Sequence, residues 1–387
     1  MPAFLNAHQL LIKKMKDLGL RVDELGMCYV YAPLAMEAMQ AHVVKTFNQH
    51  LSLILTASAA DLECSGVSDL LEDMESFDEI REKIQRSLVP IDIVEGSYPQ
   101  AELATYLRII RETALKMRYP KTITFLLGSV DHVVALGYNP QKNCWLLGDI
   151  TSSLLIKEWT EAALLANIMP IFFCEHHVSL STEMWAAHED EKIAEEFFAA
   201  CRLHPLWKIA HAITPERAQE IDASGGSWLY LAVENGHLED VETLLENGAN
   251  PNQICLRNGD EGVRPLLIAV ERGYHRIATI LLEAGADPNH ACQWMGATPL
   301  YTATALGDSE MMVLLLKKGA NPNQPVDEGM TPMMAAVELG DLKKIKVLLE
   351  HEERTPSSLM QHSFLNKAHQ DNNTLDSAAK QNFNRAP

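Results

Sequence analysis

The chain has 387 residues, 47% of them hydrophobic and 22% charged, which is typical of a soluble globular protein and long enough for two domains. Its 52 acidic residues outnumber 32 basic ones, and the formal charge of −20 repels phosphate backbones and argues against a nucleic-acid partner. Seven cysteines without a CxxC pair argue against a disulfide framework and for a reducing compartment, and no apolar run approaches the roughly 20 residues needed for membrane insertion.

Helical periodicity dominates the first third of the chain. Apolar residues at helical spacing predict helices over 7–18, 28–47, 67–88 and 100–119. The first of these is amphipathic, and it lacks the apolar core and the cleavage site of a secretory signal peptide. We therefore expect it to be the first helix of a folded domain.

Strand-like stretches rich in β-branched and apolar residues follow the helices. They cover 121–127, 130–138, 143–150 and 169–178, and a turn at 139–142 joins the second to the third. Helices followed by consecutive strands imply an α+β fold with an antiparallel sheet. A helix over 180–203 is then expected to lead into the rest of the chain.

Three residues of this region are candidates for a nucleophilic site. Cys28 lies at the start of a predicted helix, where the partial positive charge of the N-terminus lowers the pKa of a thiol. His132 lies on a predicted strand, and Asp149 ends the next one. A hairpin that turns near residue 141 would place His132 beside Asp149. Cys28 would then be the nucleophile, His132 the general base and acid, and Asp149 the group that orients the imidazole.

Each of these residues also has a purely structural explanation, because free cysteines pack as small hydrophobes and strand histidines are common in cores. The joint order and spacing favour the nucleophilic site. Cys174 and His176 would point to one face of a strand, as metal ligands must, but no second cluster has matching spacing. We therefore predict no metal site and no cofactor.

The order and context of these residues resemble papain-like cysteine proteases, especially the compact ones that pathogenic bacteria secrete into host cells. The resemblance rests on GMCY at 26–29, HVVAL at 132–136 and CWLLGD at 144–149. It implies a papain-like cysteine protease domain over 1–178, with the three residues above as the catalytic triad.

Papain-like proteases usually carry a glutamine or asparagine several residues before the cysteine, and its amide helps to form the oxyanion hole. Residues 19–25 contain neither, so Asp23, or Glu24 beside it, would have to take this place. A carboxylate is a poor oxyanion partner unless it is protonated, and loss of one donor costs about 100- to 1,000-fold in rate. The sequence therefore leaves open a protease-like domain without activity.

Two short motifs recur in the C-terminal part of the chain. GAxPN begins at 248, 285 and 319, and a Thr-Pro-Leu-like motif begins at 264, 298 and 331. This period and content resemble ankyrin repeats, whose unit is about 33 residues with a TPLHxA signature. Threonine would cap the first helix, proline would fill its first turn, and the GAxPN glycine would end the second helix in a left-handed conformation.

The resemblance implies ankyrin repeats over 204–352, as a degenerate N-terminal cap and about four repeats, after a connecting helix at 179–203. Such solenoids present extended binding surfaces, so we expect a protein partner. An insertion at 257–262 lengthens one loop on the face that usually binds. The side chains expected to contact the partner are Arg257, Asn258, Asp260, Glu261 and Trp294.

The last segment, 353–387, is polar and poor in apolar periodicity, which predicts a flexible tail. With the ankyrin repeats and the protease-like domain, it makes the chain similar to secreted ankyrin-repeat effectors of the Legionella type. That resemblance implies delivery by type IV secretion into the host cytosol and a host protein as partner. Two functions stay open, a thiol hydrolase that acts on the bound protein and a binder without catalytic activity.

Overall fold

The structure is a computed structural model that describes residues 11–13, 15–16, 27–41, 43–56, 86–129, 132–150, 153–172, 177–222, 225–257, 261–292 and 296–352. The described residues form two compact units. One comprises those up to residue 286 together with residue 292, and the other comprises 287–291 and 296–352. None of the described helices is long and apolar enough to cross a membrane. The predicted tail at 353–387 lies outside the described residues.

The first unit begins with helices and continues as a sheet with helices between some of its strands. Residues 11–13 and 15–16 are helical, in agreement with the first predicted helix. The elements that follow are α1 (Met27–Gln40), α2 (Val44–Thr56), β1 (Leu88–Pro99), α3 (Gln100–Met117), β2 (Ile123–Gly128), β3 (Val133–Asn139), β4 (Cys144–Asp149), β5 (Ser153–Trp159), α4 (Glu161–Ile171), β6 (His177–Ala187) and α5 (Glu191–Arg202).

All six strands belong to one antiparallel sheet, in the order β1-β6-β2-β3-β4-β5. Three strands that the sequence predicts, β2, β3 and β4, are direct neighbours. A turn at 140–143 joins β3 to β4, within one residue of its predicted position. The prediction of a mixed fold with helices and an antiparallel sheet is therefore confirmed.

The structure corrects the connecting helix predicted at 179–203. Only a three-residue 3-10 turn (His188–Asp190) and α5 are helical there, because β6 continues to Ala187. The end of β6 is rich in residues that favour helices, such as Glu183 and Met184. However, β6 lies between β1 and β2 and pairs with both, and such tertiary contacts override the local preference.

Two further predictions differ from the structure, and one strand is not predicted. The strand predicted over 169–178 is wrong at its start, where α4 continues to Ile171. The helix predicted over 28–47 is two helices, α1 and α2. The sequence pattern does not predict β1, whose two prolines and one glycine disguise a strand at the edge of the sheet. Most of the helix predicted over 67–88 lies outside the described residues.

Helices cover both faces of the sheet, and the alternation of β3 shows how. Val133 and Ala135 belong to an apolar core that includes Ala35 of α1, and α2 contributes to the same core. Val134 and Leu136 belong to a second core, to which α3, α4 and α5 contribute. This period of two makes β3 a buried central strand, since each of its faces meets a layer of helices.

Two glycines allow α1 to lie close to the sheet. A Cβ atom at Gly148 of β4 would stand 2.8 Å from Ala35 Cβ, and one at Gly137 of β3 would stand 2.9 Å from Met39 Sδ. Real Cβ atoms essentially never come so near to other atoms. The present spacing between helix and sheet therefore depends on Gly148, where the neighbour is a fixed Cβ atom, whereas the flexible Met39 side chain can move away from a Cβ at Gly137.

The substitution Gly148→Ala is expected to lower the free energy of unfolding by about 1–3 kcal/mol, because the added methyl group must push α1 away from β4. Urea denaturation followed by circular dichroism measures this loss. Gly128→Ala is the matched control, since the nearest atom to its new Cβ would be Val133 Cγ2 at 4.0 Å. Equal stability losses in the two variants would contradict the close packing of α1.

The first unit continues into pairs of helices. Two four-residue helices, α6 (Trp207–Ala210) and α7 (Pro215–Ala218), lie where the sequence predicts a degenerate cap. The following elements of this unit are α8 (Trp228–Glu234), α9 (Leu238–Glu246), β7 (Cys255–Arg257), β8 (Glu261–Val263), α10 (Pro265–Glu271) and α11 (His275–Glu283). The helices of the second unit are α12 (Pro299–Leu306), α13 (Ser309–Lys317), α14 (Pro332–Glu338) and α15 (Leu342–Glu352).

The helical pairs begin and end as their motifs predict, except that Arg264 makes no capping hydrogen bond at the start of α10. The hydroxyl groups of Ser227, Thr298 and Thr331 accept hydrogen bonds from backbone N–H groups three residues further on, at 3.2 Å in each case. Each therefore satisfies one of the unpaired donors at a helix N-terminus. The three GAxPN glycines have φ values of 90°, 94° and 94°, which is the predicted left-handed conformation.

Helix α8 packs against strands β1 and β6 of the sheet. Asn235, which ends α8, donates through Nδ2 to Ser181 Oγ at 3.3 Å, and Ser179 N–H donates to Asp222 Oδ2 at 3.3 Å. Trp185 lies on the same side of β6 as these serines and belongs to the core that α1 and α2 share. The first pair of repeat helices therefore extends the layer that α1 and α2 begin.

Arg217 of α7 forms an extensive set of hydrogen bonds at the joint between the sheet and the first repeat helices. It is only 6% exposed. Its Nη2 donates to Ser97 O at 2.9 Å and to Ala210 O at 2.8 Å, while Nη1 donates to Ala212 O at 3.0 Å. Glu102 Oε2 lies 2.7 Å from Nη2 and supplies the opposite charge. One guanidinium thus connects β1 and α3 to the start of the repeats.

Candidate active site

His132 and Asp149 form a buried pair at one end of the sheet. His132 Nε2 lies 2.9 Å from Asp149 Oδ1, and the two residues are only 3% and 2% exposed. They are 17 residues apart in the chain. The structure brings them together as the predicted hairpin requires.

The register of β3 and β4 explains this meeting. Ala135 lies opposite Gly148, so Asp149 at the end of β4 lies level with the beginning of β3, which His132 directly precedes. Ser129 fixes the entry into β3, because its N–H donates to His132 O at 2.7 Å and its Oγ accepts from His132 N–H at 3.2 Å. Ser129 is not among the site residues that the sequence predicts. Its spacing from the histidine, typical of a local serine turn, is the signal for it.

Aromatic side chains from both helical layers lie near the pair. Phe172 directly follows α4, and its ring meets the His132 ring edge-on, with centroids 5.8 Å apart. Tyr31 of α1 is fully buried, which raises the pKa of its phenol well above the usual value, and the negative charge of Asp149 raises it further. Local periodicity identifies neither residue as part of a site, because both contacts depend on how the helices pack.

The geometry of the pair determines which imidazole nitrogen can take up a proton. When Asp149 is ionised, its carboxylate only accepts hydrogen bonds, and His132 Nε2 then carries the proton that Asp149 Oδ1 accepts. The neutral imidazole then has its lone pair on Nδ1. A buried carboxylate in this position orients the ring and stabilises the imidazolium that forms when Nδ1 accepts a proton.

The predicted nucleophile is described only in its backbone. Cys28 is the second residue of α1, so it lies in the first turn of the helix, as the sequence predicts. Its side chain lies outside the described residues, and so does the whole of Asp23, the oxyanion candidate. Cys174 and His176, the pair considered as metal ligands, also lie outside them.

The predicted protein-binding loop begins and ends as a hairpin. Strands β7 and β8 are antiparallel, with Arg257 opposite Glu261 at the last pair. The side chains of these two residues lie outside the described part of the structure, as do Asn258, Asp260 and the more distant Trp294. The insertion therefore extends one loop of the repeats as a two-stranded finger.

A groove of about 950 Å³ lies between α2 and the far ends of β3, β4 and β5. Lys45, Asn48, Lys142 and Glu158 are among the residues that line it, and neither His132 nor Asp149 is. Asn48 pairs with the backbone of Ile156, donating at 2.8 Å and accepting at 2.9 Å. The groove is thus at the opposite end of these strands from the histidine–aspartate pair.

The comparisons with known proteins concern the C-terminal part of the chain. The sequence model described as ankyrin repeats (3 copies) matches residues 184–292 and 266–359. The comparison with curated proteins gives no match. Ankyrin repeats bind other proteins through their extended surfaces, so the matched region indicates protein binding. Residues 184–359 of this chain therefore contain ankyrin repeats, next to a mixed domain of helices and antiparallel sheet.

Proposed function

We propose that this protein is a thiol hydrolase that binds another protein through its ankyrin repeats and attacks a carbonyl group of that protein. Cys28 is the nucleophile, His132 is the general base and acid, and Asp149 orients the imidazole. The observation that carries the proposal is the buried contact of 2.9 Å between His132 Nε2 and Asp149 Oδ1. It leaves Nδ1 as the nitrogen that exchanges a proton with the thiol.

The course of α1 supports this assignment. Met39 packs on Gly137, Ala35 packs on Gly148, and Tyr31, another turn toward the N-terminus, is near Asp149. The backbone of Cys28 precedes Tyr31 by three residues, which is about one further turn in the same direction. A thiol at a helix N-terminus that meets an imidazole has the lowered pKa that a nucleophilic cysteine needs.

We further propose a fold for the N-terminal domain, a reaction for its site and a location for the protein. The helix that begins at the cysteine, the histidine before β3 and the aspartate at the end of β4 follow the papain-like order, so we assign a papain-like fold to 1–178. Peptide hydrolysis is the favoured reaction, and acyl transfer or deamidation would use the same groups. Like the Legionella-type effectors that it resembles, the protein would be delivered by type IV secretion and would act on a host protein in the host cytosol.

Alkylation with iodoacetamide tests the activated thiol. At about pH 6 we expect Cys28 of the wild-type protein to react at least about tenfold faster than an ordinary thiol, because its pKa is lowered. The substitution His132→Gln should abolish this advantage, since glutamine can still donate to Asp149 but cannot accept a proton from the thiol. Mass spectrometry after timed quenching gives the rate at each cysteine.

Cys144 is the internal control for this measurement. It is a free cysteine whose pKa is raised by partial burial and by the charge of Glu158, so it should react slowly in both proteins. Cys201 is buried, which raises the pKa of its thiol to about 12, and it should react more slowly still. Equal and slow alkylation of Cys28 and Cys144 in the wild-type protein would refute the proposed nucleophile.

A second function is favoured by one feature of the sequence and one of the structure. Residues 19–25 lack the amide that would support an oxyanion, and His132 is almost completely buried. Both features fit a protein-binding effector whose protease-like domain is a pseudoenzyme or a second interaction surface. In that case the alkylation rates of Cys28 in wild type and in His132→Gln would be equal, whereas the hydrolase requires them to differ.

A further inference from the structure

Three groups that can bind a metal ion meet where the first repeat contacts the sheet. They belong to Glu95 of β1, His237 just before α9 and Asp240 within α9. Each residue offers one ligand atom, and the three atoms lie within 4.8 Å of one another. His237 Nδ1 lies 2.6 Å from Glu95 Oε2. Glu95 and His237 are 142 residues apart in the chain, so the docking of the repeat on β1 creates the cluster. We call these three residues the joint cluster.

Glu95 is the most unusual member of the joint cluster. Its side chain is only 1% exposed, although it carries a carboxyl group. Its Oε2 contacts His237, but within the described part of the chain its Oε1 is buried without a hydrogen-bond partner. Leaving a buried carboxylate oxygen without a partner is costly, so such an atom calls for a ligand.

Negative charge exceeds positive charge around the joint cluster. The carboxyl groups of Glu95, Asp240 and Asp92 all lie close enough to His237 to act on its charge. Glu95 also acts on Asp240, and His237 and Arg202 act on Asp240 in the opposite sense. The nearby cation Arg202 forms an ion pair with Asp92 at 2.7 Å. A divalent cation between Glu95 and Asp240 would compensate both carboxylates.

We propose that Glu95, His237 and Asp240 bind one divalent transition-metal cation, zinc in the first place, which ties β1 to the first ankyrin repeat. Imidazole and carboxylate are both zinc ligands. With bond lengths of about 2.0–2.1 Å, tetrahedral ligands stand about 3.3 Å apart. The ligand atoms of the joint cluster now lie between 2.6 Å and 4.8 Å apart. Small side-chain movements would bring them to this spacing.

The ligand set gives the site a definite chemical character. Three protein ligands leave a fourth position for water or for a group from a bound partner. The simpler explanation is a plain ion pair between Glu95 and His237. That pair accounts for Glu95 Oε2, but it gives no partner to Oε1, and Glu95 and Asp240 then share the charge of one imidazolium. A metal ion satisfies all three groups at once.

Metal titration of the full-length protein tests the site. The protein is treated with a chelator, transferred to metal-free buffer and titrated with zinc chloride in a calorimeter. We expect one ion per chain and a higher thermal unfolding midpoint, because a ligand of the folded state stabilises it. Glu95→Gln and Asp240→Asn should each weaken the affinity at least about tenfold, since even outer-shell changes commonly weaken metal binding by this factor.

Two controls separate this site from adventitious binding by other histidines and cysteines. Glu239→Gln removes the same charge from an exposed neighbour outside the joint cluster, and it should weaken the affinity far less than Glu95→Gln or Asp240→Asn does. Cobalt(II) as a spectroscopic probe should show no thiolate charge-transfer band, because the joint cluster has no sulfur ligand. The proposal fails if no ion binds at about 100 µM zinc, if the affinity of Asp240→Asn equals that of wild type, or if the thiolate band is present.

Discussion

Replacing Arg217 with methionine is expected to lower the free energy of unfolding by about 3–5 kcal/mol, because several hydrogen bonds from a buried cation are lost and each contributes about 1.5–3 kcal/mol. Methionine has a similar length but no donor. The carbonyl oxygens of Ser97, Ala210 and Ala212 would lose N–H partners, and Glu102 would lose its counter-charge. Urea denaturation of the full chain, followed by circular dichroism, measures the loss.

Two further substitutions define what Arg217 contributes. Arg217→Lys keeps the charge but replaces a planar fork with a single ammonium group, so we expect a loss between those of wild type and Arg217→Met. Arg272→Met removes an ion pair with Glu234 at 3.7 Å from a side chain that is 48% exposed, and it should cost less than about 1 kcal/mol. If Arg217→Met cost no more than Arg272→Met, the joint would not depend on the buried guanidinium.

Replacing Asp149 with alanine is expected to have two effects that occur together. The first is a loss of about 1–3 kcal/mol of stability, because the buried Nε2–H of His132 loses its acceptor. The second is a fall in the alkylation rate of Cys28 at about pH 6 to that of Cys144, because the imidazolium loses the carboxylate that stabilises it. Urea denaturation measures the first effect, and timed alkylation measures the second.

Asp149→Asn separates orientation from charge. Asparagine keeps a carbonyl oxygen for His132 Nε2–H, so the loss of stability should stay below about 1 kcal/mol. Without the negative charge, however, the thiolate–imidazolium pair is less stable. The rise in the Cys28 alkylation rate should therefore occur at a higher pH than in the wild-type protein. An unchanged profile in both Asp149 variants would show that Asp149 has no influence on the thiol.

The sequence predicts those parts of the fold that local patterns specify. The β3–β4 hairpin follows from two apolar runs and the turn between them, and its register then brings His132 to Asp149. The repeats follow from motifs whose threonine, proline and glycine have fixed conformational roles. The position of Cys28 near the start of a helix is also predictable, because a glycine directly precedes the apolar run that forms this helix.

Features that depend on contacts between distant segments are not predictable in this way. β6 is a strand because β1 and β2 pair with it, although its own residues partly favour a helix. Ser129, Phe172 and Tyr31 surround the histidine–aspartate pair only after the layers have packed. Glu95 and His237 belong to different halves of the chain, so the sequence alone does not show that Glu95 joins His237 and Asp240, which are three residues apart.

The first repeat cannot be exchanged as freely as the usual modularity of ankyrin proteins would suggest. A chimera joined at residue 203 would bring a foreign repeat that lacks Arg217, Asp222 and Asn235. The buried serines of β1 and β6 would then face a surface without matching polar groups. Changes of binding specificity, in evolution or by engineering, are therefore better tolerated in the later repeats and in the β7–β8 finger. The first repeat is less tolerant, because it forms part of the interior of the sheet domain.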